Sequence, residues 1–221
     1  MRVGLFGGTF NPVHIGHIKA SLDIKKEYSF DRVYIIPAAI PPHKKPVGIA
    51  DASHRLEMTR IAFDTYPDFS VSDVELKRNG PSYTIDTVKQ FMLEMGDHTE
   101  LYFIIGIDAF LEIDTWESYR NIFDMLPLIV MTRPGKWHNS GMSDVEAVER
   151  YLINEISDKY EFSSSEQCCV HKKKQPVFIS EVTPFDISAT EIRKCIKEGK
   201  EIRDFVPAEV DAYIKKKGLY L

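Results

Sequence analysis

Cysteine is scarce in this chain: Cys168, Cys169 and Cys195 are the only three in 221 residues. Three thiols cannot build a disulfide framework, and they suit a reducing compartment. His171 lies near the first two, but adjacent cysteines lacking a C-x-x-C partner pair are poorly spaced for tetrahedral zinc. The segment therefore reads as a loop with free thiols, and no protein-held metal is expected. Excess positive charge is missing too. With 28 Lys+Arg against 33 Asp+Glu the formal net charge is −5, so no overall basic field draws the chain to nucleic acid or anionic lipid, and anion binding must be local. There is no apolar run near the ~20 residues of a membrane helix and no basic, apolar leader, so no membrane partner is expected and the cytoplasm is the default location. Neither G-x-x-x-x-G-K-[ST] nor G-x-G-x-x-G occurs, which removes two familiar phosphate loops.

What is present is an ordinary globular composition, 43% hydrophobic and 28% charged, enough for one compact domain over 1–221. Strand and helix patterns trade places along it. Residues 2–6 and 32–38 read as strands, 54–66 as a helix and 69–76 as a half-buried, alternating strand. Residues 84–96 read as a helix with Ile85, Val88, Phe91, Met92 and Met95 on one face and Gly96 as its stop. The runs at 101–106 and 126–132 are continuously apolar, as strands buried on both faces are. Such alternation predicts an α/β fold, an open parallel sheet with helices on both faces, and ligands at the carboxyl ends of its strands. The polar stretch 136–176 reads as an insertion, with Ser143 and Glu146 spaced as a capping box. The C-terminal helices are expected within 188–217.

One strand-to-helix turn concentrates the chemistry. After the first apolar run comes GGTFNPVHIGH, residues 7–17. Gly7 and Gly8 let backbone approach a bulky anion, and the following helix aims its free N–H groups and positive dipole end at the same place. His14 and His17, three apart, can project from one side toward a phosphate there; alone, an H-x-x-H pair reads more simply as two helix-face histidines. Ser188 and Glu191 in ISATEIR form a second capping box, and Ser188, Thr190 and Arg193 can also form a second phosphate cradle. Asp108 ends the 101–106 strand, as a helix N-cap or as an acceptor for sugar hydroxyls.

GGTFNPVHIGH resembles the G-x-F-D/N-P-x-H-x-G-H signature of the nucleotidyltransferase superfamily. PPHK (41–44), GPSYTIDT (80–87), IIGIDAF (104–110), DTWESY (114–119), TRPG (132–135) and ISATEIR (187–193) resemble, in order, motifs of the bacterial nicotinate mononucleotide adenylyltransferase family. Asn11 stands where aspartate is common, Ala189 where a second small polar residue is usual, and 136–176 is longer than the family leads one to expect.

The resemblance implies a Rossmann-like nucleotidyltransferase fold and transfer of the adenylyl group of ATP to nicotinate mononucleotide, with magnesium arriving on the nucleotide. It implies catalytic roles for His14, His17 and Lys44. It places Gly7, Gly8, Thr9, Phe10, His14, His17, Ser188, Thr190 and Arg193 around ATP. Asn11, Lys44, Tyr83, Thr84, Asp108, Trp116 and Arg133 fall around the acceptor, with Trp116 stacking on the pyridine ring. Alternatives left open are nicotinamide mononucleotide or another phosphorylated acceptor, and a nucleotide sensor without turnover. Homo-oligomerisation is also left open.

Overall fold

The structure, a computed structural model, describes residues 1–41, 48–132 and 142–221. Eight strands form one sheet: β1 (Arg2–Gly8), β2 (Arg32–Pro37), β3 (Phe69–Val71), β4 (Glu100–Gly106), β5 (Leu128–Thr132), β6 (Glu161–Ser163), β7 (Cys168–Val170) and β8 (Val177–Glu181). The helices are α1 (Ile15–Glu27), α2 (Ala52–Phe63), α3 (Thr84–Met95), α4 (Ile107–Phe110), α5 (Tyr119–Met125), α6 (Asp144–Tyr151), α7 (Ala189–Lys197) and α8 (Ala208–Lys217). Strand order is β3-β2-β1-β4-β5-β8-β7-β6. The six strands from β3 to β8 run parallel, as the apolar runs predict.

Alternation along the central strands explains the two layers of helices. In β4, Leu101, Phe103 and Ile105 enter one core cluster with Val88 and Phe91 of α3 and Ile122 and Phe123 of α5. Tyr102 and Ile104 enter the opposite cluster with Ile18 and Ile24 of α1, Met58 of α2 and Ile192 of α7. Strand β5 divides the same way: Leu128 and Val130 on one side, Ile129 and Met131 on the other. Both faces are apolar because both are covered.

Several expectations are corrected. The strand expected over 69–76 ends at Val71, because Asp73 O accepts from the Lys77 N–H at 3.1 Å and turns the chain. The stretch read as a loop around Cys168 and Cys169 is the hairpin β6–β7, which adds two antiparallel strands to the parallel sheet. Both thiols are free but buried, and burial pushes them up, Cys168 to about 11 and Cys169 to about 12. Met92, expected on the apolar face of α3, is exposed. Gly96 does stop that helix, at φ 68°. Both capping boxes form, Ser143 with Glu146 and Ser188 with Glu191. Among the described residues, no helix is long and apolar enough to cross a membrane.

Candidate active site

The chain runs from β1 outward to β2 and β3, then returns to β4 on the other side of β1. This reversal makes the β1/β4 junction the topological switch point, where the carboxyl ends of open α/β sheets leave a crevice. A cavity of about 240 Å³ lies there, lined by Gly7, Gly8 and Thr9 from β1 and its exit, by Ile105 and Gly106 from β4, and by Tyr83, Thr84 and Trp116. Five expected site residues, Gly7, Gly8, Thr9, Tyr83 and Thr84, thus share one wall system with the expected ring-stacking Trp116. Thr84 is the first residue of α3, so the free N–H end of that helix faces this region. Phe103 meets Trp116 edge-to-face at 6.3 Å and braces it.

The histidines sit beside the cavity, at the start of α1. His14 is the N-cap and is buried, while His17 is half-buried in the first turn. Their rings lie 3.6 Å apart, centre to centre. His17 Nδ1 accepts from the His14 backbone N–H at 3.2 Å. That bond selects the neutral tautomer whose Nε2 carries the hydrogen, so His17 is a fixed donor. Phe10 packs edge-on to His17 at 5.0 Å. Its side chain is buried, so a contact to nucleotide falls to its backbone.

The signature glycines have steric reasons beyond anion approach. A Cβ on Gly8 would stand 2.8 Å from the Phe10 ring, and one on Gly16 would stand 3.0 Å from the His14 ring. A side chain at Gly8 would force the Phe10 ring to move, and one at Gly16 would press on the His14 ring.

The second cradle is brought to the first. Arg193 of α7 donates from Nη1 to the Asn11 carbonyl at 2.7 Å and from Nη2 to the Thr190 hydroxyl at 3.1 Å. Arg193 therefore joins the first turn of α7 to the turn that leads into α1. Asn11 departs from the acceptor role expected of it. Its amide oxygen accepts from the Ala50 N–H at 3.0 Å and the Tyr220 hydroxyl at 2.8 Å, and its nitrogen donates to Gly48 O at 2.9 Å. The buried side chain braces loops and does not line the cavity. Asp108 is exposed in the first turn of α4, whose N-cap is Gly106, so the N-cap reading does not hold, and Asp108 is also outside the cavity wall. Lys44 and Arg133 lie outside the described residues.

Sequence reading missed Arg55. It is 1% exposed, and its guanidinium donates to four backbone carbonyls: Thr9 (2.8 Å), Ala38 (2.6 Å), Ala39 (2.9 Å) and Ala50 (2.8 Å). One buried cation thereby ties the exits of β1 and β2 together beneath the crevice. Burial pulls its pKa below the ordinary arginine value. Nothing in the local pattern marks it, since an arginine on an amphipathic helix ordinarily faces water.

Residues 5–195 match the family described as cytidylyltransferase-like. The chain belongs to that family. Among its relatives, a protein of Desulfatibacillum aliphaticivorans named as a probable nicotinate-nucleotide adenylyltransferase is 39% identical over 225 residues, covering 100% of both chains. One of Geotalea daltonii with the same name is 36% identical over 220 residues, covering 100% of this chain and 98% of the relative. The solved structure of a Plasmodium falciparum nicotinic acid mononucleotide adenylyltransferase complexed with NaAD superposes with a TM-score of 0.72 at 16% identity, covering 99% of this chain and 97% of that one. At that identity the likeness is one of fold. For this member of the cytidylyltransferase-like family, the crevice at β1/β4 is accordingly the candidate active site.

Proposed function

We propose that the chain is a nicotinate-nucleotide adenylyltransferase, acting as one domain over 1–221 in the cytoplasm. It joins ATP and nicotinate mononucleotide to give nicotinate adenine dinucleotide and pyrophosphate, a step of NAD biosynthesis. The observation that carries this reading is a juxtaposition. Two phosphate cradles, His14–His17 and Ser188–Thr190–Arg193, meet at Asn11 beside a cavity walled by Tyr83, Thr84 and Trp116. Names borne by full-length relatives agree with it.

The chemistry asks little proton transfer of the protein. The acceptor's phosphate is already anionic at neutral pH, so it attacks the α-phosphorus of ATP without a general base. Catalysis then rests on alignment and on stabilising charge. The Nε2–H of His17, the N–H groups opening α7 and Arg193 supply fixed donors for the phosphates, whereas at the start of α1 the Ile15 N–H is taken by Phe205 O and the His17 N–H by His14 O. Lys44 is assigned to the same phosphates and Arg133 to the acceptor's. Magnesium is assigned to arrive on ATP. When bound, magnesium neutralises charge on the departing pyrophosphate.

Pyrophosphate release from ATP and magnesium, measured across nicotinate mononucleotide, nicotinamide mononucleotide, pantetheine phosphate and glycerol phosphate, tests the reading. Turnover is expected with the pyridine mononucleotides alone. Preferred turnover of another acceptor, or binding of ATP with no turnover of any, contradicts it.

A further inference from the structure

Glu75 is the one cavity-lining carboxylate that the protein buries, at 7% exposure, and no step above uses it. It sits in the turn where the strand expected over 69–76 gives way. A buried carboxylate costs free energy unless donors surround it, so its surroundings indicate what it holds in place.

Its Oε1 accepts from the Thr87 hydroxyl of α3 at 2.7 Å, and the Arg78 guanidinium stands 3.8 Å from the same oxygen. Arg78 also donates to the Thr87 hydroxyl, so carboxylate, guanidinium and hydroxyl close on one another. Burial raises the Glu75 pKa above the ordinary carboxylate value, against the Thr87 hydroxyl bond and the Arg78 charge, which pull the other way. Ser82, just before α3, ties that helix to the exit of β2. Its hydroxyl oxygen accepts from the backbone N–H groups of Ala39 at 2.9 Å and Ile40 at 3.2 Å, and its own N–H donates to Ile40 O at 3.0 Å. Ala38, Pro41, Ser82, Tyr83 and Thr84 all line the cavity. The segment leaving β2 is thus tied to the start of α3, and α3 in turn to the buried acid through Thr87.

We infer that Glu75 is a positioning residue for the acceptor: through Thr87 it holds α3, and with it the cavity wall that Ser82 joins across residues 38–41 and 82–84, on which the mononucleotide's ring docks. The phosphate cradles at α1 and α7 lie outside this network. Loosening it displaces the acceptor and leaves ATP binding intact. This rests on the nicotinate-nucleotide reading of the cavity.

The test compares Glu75→Gln, Glu75→Asp and Thr87→Val with the wild type. Glutamine keeps the length and loses the charge facing Arg78. Aspartate keeps the charge but is one methylene too short for Thr87, and valine removes only the hydroxyl from α3. Each variant is expected to raise KM for nicotinate mononucleotide about 10-fold or more, the scale of a sub-ångström misplacement, with KM for ATP within about twofold. Quenching of tryptophan fluorescence by the mononucleotide, without ATP, is expected to show the same weakening. Unchanged acceptor KM in well-folded Thr87→Val and Glu75→Gln overturns the inference and leaves the function standing. So does a matched rise in both KM values with a lowered Tm, which marks general damage. A wild type that neither binds nor turns over the mononucleotide overturns the function itself, and the inference with it.

Discussion

His17 illustrates how one side chain is prepared for its task. Its Nδ1 accepts from the His14 N–H, its ring packs against His14 and Phe10, and its Nε2–H is a donor of fixed direction. Preorganised donors of this kind cost about 100-fold or more in kcat when removed. His17→Ala is expected to show that loss in steady-state kinetics while circular dichroism reports an intact fold; a folded variant with unchanged kcat removes His17 from the chemistry. Residues of this type were legible in the sequence because the motif fixes their spacing. Arg55 and Glu75 were not, because what makes them matter is burial by distant segments, and neither charge departs from what a solvated surface would carry. Asn11 was legible as part of the turn but not in its role, since Tyr220 and Ala50, its partners, are remote in sequence.

At the scale of elements, ISATEIR serves two purposes that mutation separates. Ser188 caps α7 by accepting from the Glu191 N–H at 3.2 Å, whereas Arg193, one turn on, reaches the Asn11 carbonyl. Ser188→Ala is expected to cost about 1 kcal/mol of stability through the lost cap, together with a higher KM for ATP. Arg193→Ala leaves the capping box whole, so thermal melting is expected to move less while KM for ATP rises more. Equal losses of Tm with normal ATP kinetics in both would reduce the motif to a helix start. Helices and long apolar strands were legible because 3.6- and 2-residue periods survive over many residues. The three-residue strands β3, β6 and β7 were misjudged for the converse reason. Three residues carry too little period to tell a strand from its loop, and β7 pairs with a partner ten residues on.

The whole molecule is a switch-point α/β sheet extended by an antiparallel hairpin, and the extension lies at the sheet edge away from the crevice. Parallel topology was legible from the continuous apolar strands; the edge was not, because the 136–176 segment lacks their hydrophobic length. Three acidic side chains, Glu75, Glu112 and Glu117, line the cavity, and no lysine or arginine does among the described residues. We propose that an acceptor carboxylate is recognised by backbone N–H groups, with the start of α3 at Thr84 the best placed. That helix end favours a negative charge and gives little to a neutral amide, which also needs an acceptor for its extra hydrogens. The decisive measurement is kcat/KM for nicotinate against nicotinamide mononucleotide at saturating ATP and magnesium. The expected ratio is about 100 or more in favour of nicotinate, a difference of about 2.7 kcal/mol. A ratio near one, or a preference for the amide, would contradict the recognition of an acid at this cavity.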